Sequence, residues 1–337
     1  MQLNEFWFGL IAVLWTGYFF LEGFDFGVGM LLPVIGRTER DRSVVLSTIA
    51  PVWDGNEVWL ITAGASMFAA FPEWYATLFS GFYLPLFLIL VALIGRAIAL
   101  EYRGKVDDDR WRSRWDIAIV VGSWVPAVLW GVAFANIVAG VPIDADRNFT
   151  GDLLTLLNPF GLLGGVTFAA VFALHGANFL TLKTFGEIHD RARAVVRPIG
   201  VVAIALGAVF LVVNQVARGK GWTWVPVLVA AVGLVGSVVV QRVGRDGWAF
   251  VLTGISIAAV VVALFGSLYP NVMPSTTDAA YDLTIDNASS TSYTLTVMTW
   301  VAGLMTPLVV GYQAWSYWVF RKRVGRPPVA ATAAPST

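Results

Sequence analysis

The chain has 337 residues, of which 57% are hydrophobic and only 13% are charged, and it contains 15 Trp and 22 Phe. A soluble domain carries roughly 25% charged residues, so this composition predicts an integral membrane protein embedded in a lipid bilayer. The formal net charge is zero, which argues against a nucleic-acid partner. The absence of cysteine excludes disulfides, thiolate metal sites and Cys-ligated clusters.

Nine hydrophobic segments follow one another along the chain, each of roughly 18 or more residues, the length that a helix needs to cross a bilayer. The first begins directly after residues 1–5, without the basic stretch and small-residue cleavage site of a signal peptide. The predicted transmembrane helices cover residues 6–34, 46–71, 74–102, 115–138, 159–183, 195–216, 222–241, 248–269 and 294–320. Short connections favour antiparallel neighbours, so we predict an all-α membrane protein built from antiparallel helix bundles.

Lysine and arginine residues are concentrated in the odd-numbered connections and in the C-terminal tail. The even-numbered connections hold only Arg147, Arg218 and Lys220. Because basic residues favour the cytoplasmic side, we predict an N-terminus outside and a C-terminus inside, which requires an odd number of helices. We expect the external connection 270–292 to cap the outer helix ends. We further expect residues 1–326 to form one polytopic domain and residues 327–337 to be a disordered cytoplasmic tail.

The first helix carries two carboxylic acids, Glu22 and Asp25, in its predicted cytoplasmic half. A spacing of three places both side chains on one helix face. Gly23 and Gly27 form a small-xxx-small pair, which allows another helix to approach closely. Ionisable groups inside a membrane are costly and usually functional, so this face is a candidate site.

The second helix opens with the stretch APVWDGNEVW at 50–59, which contains the acids Asp54 and Glu57. The third helix returns to the same side and carries Arg96 and Glu101. All these groups therefore lie in the predicted cytoplasmic half, together with the acids of the first helix. Because carboxyl groups that are close together and partly desolvated can exchange protons near neutral pH, we interpret the set as a proton entry path with Asp54 as its leading member.

Structural roles are the alternatives for these residues. Arg96 and Glu101 can form an ion pair at the membrane interface. Asp54 can brace the start of the second helix while Asn56 and Glu57 face water. In either case the charges would have no part in proton transfer.

The aromatic and histidine side chains have less specific signals. Trp53 and Trp59 fit packing or the interfacial aromatic belt better than a ligand passage. His175, deep in the fifth helix, has the chemistry of a haem ligand, but the other histidine, His189, lies in a connection and offers no second ligand opposite it. We therefore predict no metal or haem site in this chain and expect His189 to be solvated.

Six motifs are spread along the chain from the first predicted helix to the ninth. They are EGFDFGVG at 22–29, APVWDGNEVWLITAG at 50–64, SGFY at 80–83, LNPFG at 157–161, GEIH at 186–189 and VMTW at 297–300. The ordered set resembles subunit II of the cytochrome bd-type quinol oxidases over nearly the whole chain. A single motif would be a weak signal, whereas the ordered set is specific.

The resemblance implies a nine-helix subunit that forms a heterodimer with a haem-bearing subunit I in the bacterial cytoplasmic membrane. That partner is expected to bind haem b, haem d and the quinol, while this chain supplies no haem ligand and is inert alone. The complex is expected to oxidise quinol, reduce oxygen to water and take its protons from the cytoplasm. Small accessory subunits, a structural quinone and a bound lipid are left open.

The same resemblance implies roles for individual residues. The positions of Asp54, Arg96 and Glu101 belong to a proton route that begins on the cytoplasmic side, and Trp59 lies beside a hydrophobic oxygen passage. Glu57 stands where some relatives have Gln, as Glu22 stands where some have Asp. Glu57 is therefore the least expected member of the path.

Two alternatives remain open. A stand-alone proton-coupled transporter would also place acids within helices, but it predicts helices that are broken at the midplane in corresponding halves of the chain, and no such interruption is expected here. A purely structural subunit of the same oxidase would hold its carboxylates in fixed ion pairs.

Overall fold

The computed structural model describes residues 2–325, and most of them are helical. The helices are α1 (Leu3–Ile35), α2 (Glu39–Ser47), α3 (Trp53–Ala70), α4 (Pro72–Gly81), α5 (Tyr83–Tyr102), α6 (Asp109–Ala139), α7 (Leu153–Leu156), α8 (Pro159–Lys183), α9 (Gly186–Arg218), α10 (Trp224–Arg242), α11 (Asp246–Leu268) and α12 (Ser292–Val319). A small antiparallel hairpin, β1 (Asn271–Met273) with β2 (Leu283–Thr284), precedes α12. The predicted all-α membrane fold is confirmed, and the predicted tail at 327–337 lies outside the described residues.

Eight helices within residues 2–325 are long and apolar enough to cross a membrane, namely α1, α5, α6 and α8 to α12. The second predicted span corresponds to α3, which has 18 residues but is less apolar because Asp54, Asn56 and Glu57 stand near its start. α1 has 33 residues, which makes it about 50 Å long at 1.5 Å per residue. It therefore extends beyond a hydrocarbon core of about 30 Å.

Two predicted spans contain a turn or a break, and two others begin too late, since α6 begins at Asp109 and α9 at Gly186. The prediction starts the second span at residue 46, but the chain turns at Pro51 and α3 begins only at Trp53. The prediction makes the third span continuous, but the helix breaks at Phe82, between α4 and α5. Pro85 stands in the first turn of α5 and has no N–H group to continue the hydrogen bonds of α4, which accounts for the break.

α1 lies at the centre of the bundle, where it packs on α3, α6, α8 and α11. Every residue from Leu21 to Leu32 is buried. The closest approach is to α8, because a Cβ placed on Gly27 would lie 2.1 Å from the carbonyl oxygen of Phe172 and 2.7 Å from the Cα of Gly176. The predicted small-residue contact is confirmed, and it brings two helix backbones together.

The connection that contains the hairpin covers one end of the bundle, as predicted. Asn4, at the start of α1, donates its Nδ2 to Asp286 Oδ1 at 2.7 Å. The backbone N–H of Ser290 donates to the carbonyl oxygen of Ala70, at the end of α3, at 2.9 Å. The assignment of this end to the exterior, like that of both termini, stays a prediction.

α12 packs much less than the other long helices, and Leu295 is its one buried residue. Its C-terminal end is held by a short docked segment. Lys183 of α8 donates its Nζ to the carbonyl oxygen of Lys322 at 3.0 Å, and Arg323 donates to Asp246 Oδ2 of α11 at 2.9 Å. Polar contacts, more than packing, therefore attach this helix to the bundle.

Candidate functional site: a buried carboxylate and arginine cluster

The acidic face of α1 meets an arginine from α5. Glu22, Asp25 and Arg96 are all fully buried. Arg96 donates its Nη1 to Glu22 Oε2 at 2.7 Å, and its guanidinium carbon lies 4.9 Å from the centre of the Phe26 ring. α6 leaves room for this arginine at Gly122, where a Cβ would lie 2.6 Å from the Cβ of Arg96. The result is an ion pair inside an apolar core.

Glu57 of α3 completes the cluster. Its Oε1 lies 3.7 Å from Arg96 Nη1, and its side chain is 21% exposed, so it is the member nearest to solvent. Two carboxyl groups therefore contact one guanidinium, which offsets a single negative charge, and a third carboxyl group, that of Asp25, is buried one turn along α1 from Glu22. In an apolar core, a further carboxylate is neutralised at the lowest free-energy cost when it binds a proton.

Five buried polar atoms of the cluster have no hydrogen-bond partner within residues 2–325. They are Glu22 Oε1, Asp25 Oδ1, Glu57 Oε1, Arg96 Nε and Arg96 Nη2. Buried polar atoms in folded proteins are nearly always paired with a protein group or with ordered water. The cluster therefore presents both donors and acceptors to small polar ligands such as water.

A chain of hydrogen bonds runs from this cluster to α12. Asn56 donates its Nδ2 to Asp25 Oδ2 at 2.6 Å, and its Oδ1 accepts from the Tyr317 hydroxyl at 2.7 Å. Gln313 donates to the same Oδ1 at 3.4 Å and accepts from Trp59 Nε1 at 2.7 Å. No sequence pattern predicts these hydrogen bonds. The available signal of them is the presence of polar side chains within apolar helices.

Four of the six residues predicted for the proton path meet in the cluster. The other two, Asp54 and Glu101, are exposed on the surface of the chain. The two structural roles considered as alternatives are each wrong in part. Arg96 does not form the ion pair with Glu101, because it pairs with Glu22. Asn56, expected to face water, is buried. The roles of all six residues in proton transfer stay predictions.

Trp59 lines two apolar clefts between α12 and the rest of the bundle. The larger, of about 600 Å³, lies between α1, α3 and α12, and its lining includes Trp7 and Gln313. The smaller, of about 400 Å³, lies between α1 and α12 and reaches Tyr317. The Trp59 ring packs so closely on α1 that a Cβ on Gly17 would lie 2.2 Å from it.

Ion pairs stabilise the end of the bundle nearest to the cluster. Arg103 follows α5 and donates to Asp116 Oδ1 at 2.6 Å. Burial acts to lower the pKa of Arg103, but its acidic partners outweigh burial and raise it. Burial likewise acts to raise the pKa of Asp41, but hydrogen bonds from Arg191, at 2.7 Å, and Thr38 hold that pKa below its usual value. Asp116 thus belongs to a rim network and not to the cluster.

Residues 3–320 match the family model for cytochrome bd terminal oxidase subunit II. The chain belongs to this family. It is 44% identical to cytochrome bd ubiquinol oxidase subunit 2 of Bacillus subtilis (strain 168) over 329 residues, which cover 96% of this chain and 97% of that protein. It is 37% identical to cytochrome bd-I ubiquinol oxidase subunit 2 of Escherichia coli (strain K12) over 361 residues, which cover 96% and 95%.

The fold is similar to that of a chain in a solved bd oxidase. The structure of the bd oxidase from Geobacillus thermodenitrificans has a TM-score of 0.75 at 17% identity and covers 96% of this chain and 100% of the other. With eight apolar helices among the described residues, family membership makes this a multi-pass protein of a bacterial inner membrane. The family implies a subunit I partner that contains haem and a quinol substrate, which does not fit a stand-alone transporter.

Because this oxidase family contains haem, the geometry of the histidines matters. His175 is fully buried, with Nδ1 2.7 Å from Thr253 Oγ1 and Nε2 3.1 Å from the carbonyl oxygen of Phe20. Its ring stacks on Phe250 with centres 4.5 Å apart. Both nitrogens are engaged, so this side chain does not fit an axial haem ligand. His189, for which we expect solvation, is only 17% exposed because it contacts α11.

Proposed function

We propose that this chain is the non-haem subunit II of a quinol oxidase and that it supplies a proton route to the haem-bearing subunit I, where quinol is oxidised and oxygen is reduced to water. The observation that carries the proposal is a fully buried Arg96 that contacts both Glu22 and Glu57, with Asp25 beside them. A structural ion pair needs one acid, whereas surplus buried carboxylates are costly unless they share a proton. The surplus therefore favours proton uptake.

Proton transfer requires donors and acceptors within hydrogen-bond reach of each other, directly or through one water molecule. The unpartnered carboxyl oxygens and N–H groups of the cluster offer such acceptors and donors, and we propose that water molecules connect them. We infer a route that enters at the partly exposed Glu57 and passes to the buried Asp25. We propose that the exposed Asp54 and Glu101 collect protons before these enter at Glu57.

The test is Asp25→Asn in the assembled oxidase, with Asp54→Asn measured beside it. We expect oxygen consumption and proton uptake to fall together while the haem absorbance is unchanged. Asp146→Asn, an exposed acid at the other end of the bundle, is the control and should behave as the wild type. Unchanged proton uptake with intact haems would refute the route. If Asp25→Asn loses its haems, Glu57→Gln, at a less buried position, gives the decisive measurement.

We further propose that the larger cleft beside Trp59 admits oxygen, since its lining is mostly apolar and oxygen is a small apolar molecule. Ala302→Phe should fill part of this cleft and slow the binding of oxygen, with quinol oxidation at saturating oxygen unchanged. Val232→Phe, on α10, exposed and outside the cleft, is the control. Equal rates of oxygen binding in the two variants would contradict the passage.

The exposed faces of α5 and α12 fit a role in stabilising subunit I. Large apolar side chains such as Phe87, Ile94, Leu304 and Leu308 are exposed there. In a membrane, helices associate through packing and polar contacts and not through a hydrophobic driving force, so we infer that subunit I packs on the sparsely packed α12. Gly303→Trp should then reduce the yield of haem-containing complex, and a normal yield would argue against this contact.

A further inference from the structure

Asn56 is the junction between the acid cluster and α12. It is fully buried on α3, and its Nδ2 is the one hydrogen-bond donor that residues 2–325 offer to the Asp25 carboxyl group. The bond is 2.6 Å long. The direction in which this amide points therefore decides whether Asp25 has a protein partner.

The direction of the Asn56 amide is fixed from α12. Its Oδ1 accepts from the Tyr317 hydroxyl at 2.7 Å and from Gln313 Nε2 at 3.4 Å. A half-turn of the amide would place Oδ1, which can only accept, against the Asp25 carboxyl group. It would also turn an NH₂ group toward the Gln313 Nε2 donor, and the Tyr317 hydroxyl, which can donate or accept, would have to become an acceptor. The observed direction satisfies all three neighbours at once.

This part of α12 has little else to hold it in place. The two apolar clefts lie between it and α1 or α3, and Trp59 lines both of them. Interhelical hydrogen bonds stabilise helix pairs in membranes where packing is incomplete. The bonds to Asn56 and Trp59 are therefore the main attachment of the last third of α12, so the position of this segment and the direction of the amide depend on each other.

We propose that Tyr317 and Gln313 are positioning residues for proton uptake, because they hold Asn56 with its Nδ2 on the Asp25 carboxyl group. The proposal rests on the proton-uptake function above and extends it to α12, a helix without an acidic residue. The charged and titratable side chains around Asp25 are Glu22 of α1, Glu57 of α3, Arg96 of α5 and Tyr317 of α12.

Tyr317→Phe in the assembled oxidase tests this proposal, since it removes the hydroxyl group and keeps the ring. One net hydrogen bond corresponds to about a threefold to tenfold change in an equilibrium. We expect the rate of proton uptake to change by that factor at the pH where the wild type is half-maximal, so that the pH profile of uptake is displaced. Haem absorbance and melting temperature should be those of the wild type. Tyr281→Phe, in the connection that precedes α12, removes a hydroxyl group that makes no hydrogen bond among the described residues, so it is the control and its pH profile should superimpose on that of the wild type.

Gln313→Leu is the second variant, and it should displace the pH profile less because it removes the longer bond to Asn56 Oδ1, 3.4 Å against 2.7 Å for that of Tyr317. If pH profiles stay unchanged in both variants while Asp25→Asn abolishes uptake, the positioning role is wrong and the proton route stands. If Asp25→Asn leaves uptake unchanged with intact haems, the route itself is wrong. Loss of assembly in both Tyr317→Phe and Gln313→Leu would make these residues structural and would likewise overturn the proposal.

Discussion

α1 and α12 belong to the same bundle but are held in opposite ways. α1 is buried without interruption from Leu21 to Leu32 and touches the backbone of α8 at Gly27. α12 buries Leu295 alone and is attached by polar contacts near its start, in its last third and just beyond its end. At its start, for example, Thr299 accepts from the indole N–H of Trp7 at 3.1 Å.

The difference shows where this chain is rigid. Close contact between backbones holds a helix in position along its length. A few side-chain hydrogen bonds hold it only at the residues that form them. The carboxylate cluster lies on α1, so its acids have a firm frame. The groups that orient Asn56 lie on α12, which has room on both sides. The cluster therefore combines fixed charges with a partner whose position can change.

Arg96→Met should have the largest effect, because it leaves the buried Glu22 without its counter-charge. Removal of one partner from a buried ion pair costs about 3–5 kcal/mol, so we expect most of the complex to be lost, as measured by size-exclusion chromatography with haem absorbance. Arg110→Met, at an exposed arginine without an ion pair among the described residues, is the control. Adding Glu22→Met to the Arg96 variant should recover part of the yield, and no recovery would mean that the charge imbalance is not the cause.

Gly27→Ala and Gly303→Ala compare the two helices by the same substitution. On α1 the new Cβ would lie 2.1 Å from a backbone oxygen, and overpacking of this kind costs about 1–3 kcal/mol. On α12 nothing lies within 4 Å of the Gly303 position, and alanine favours a helix over glycine by about 0.5–1 kcal/mol. Thermal unfolding in detergent should show a lower melting temperature for the first variant only. Equal melting temperatures of the two variants would show that α1 and α12 do not differ in the space around these glycines.

Arg323→Gln should loosen the end of α12 with a small loss of stability. The side chain of Arg323 is 34% exposed in its pair with Asp246, and exposed pairs contribute about 0–1 kcal/mol. We expect faster hydrogen exchange in the last turns of α12 and no change in α1. Lys322→Gln, whose side chain makes no hydrogen bond within the described residues, should leave both helices as they are. Faster exchange in α1 as well would show that the segment supports the whole bundle.

Asp41→Asn should give the smallest effect, and one that depends on pH. The pKa of Asp41 is lowered in the folded chain, mainly by its bond from Arg191. The carboxylate therefore stabilises the fold above its unfolded pKa, and this contribution disappears as the pH falls through the folded value. Melting temperatures of the wild type and the variant should differ near neutral pH and converge in acid. If the melting temperatures of the wild type and the variant differ equally near neutral pH and in acid, the lowered pKa of Asp41 is contradicted.

The acidic face of α1 could be predicted because it depends on local geometry alone. Two residues three apart share a helix face in any context, so Glu22 and Asp25 needed no knowledge of the fold. The same holds for the glycine pair, of which Gly27 makes the closest contact. Arg96 was also found from sequence, because a buried arginine in an apolar segment is rarely without a function.

The orientation of α3 could not be predicted. Successive residues point about 100° apart on a helix, and apolar side chains surround much of α3, so no periodicity shows which of Asp54, Asn56 and Glu57 faces inward. The structure turns Asn56 and Glu57 toward α1 and α5, and Asp54 toward the surface. Glu57, the least expected member from sequence, is thus in the cluster, and Asp54, the leading one, is outside it.

Contacts between distant segments account for the other differences. The partner of Asn56 on α12 is 261 residues away in the chain, and no local pattern encodes such a pair. The break at Phe82 also has a distant component, because Gly81 leaves space for Phe149, which would lie 2.5 Å from an added Cβ. Local sequence determines where a helix forms and which charges it carries. The rotation of a helix about its axis and the side chains that it contacts depend on distant segments.

The contact between α1 and α8 limits how this sequence can change. A Cβ on Gly176 would lie 2.4 Å from the carbonyl carbon of Gly27, as a Cβ on Gly27 would collide with α8. In most packed interfaces a larger side chain on one helix can be accommodated by a smaller one opposite. Here both positions already hold the smallest residue, so neither has a compensating substitution at the other. Any accepted change must move two helices apart, and with them the acids that α1 carries.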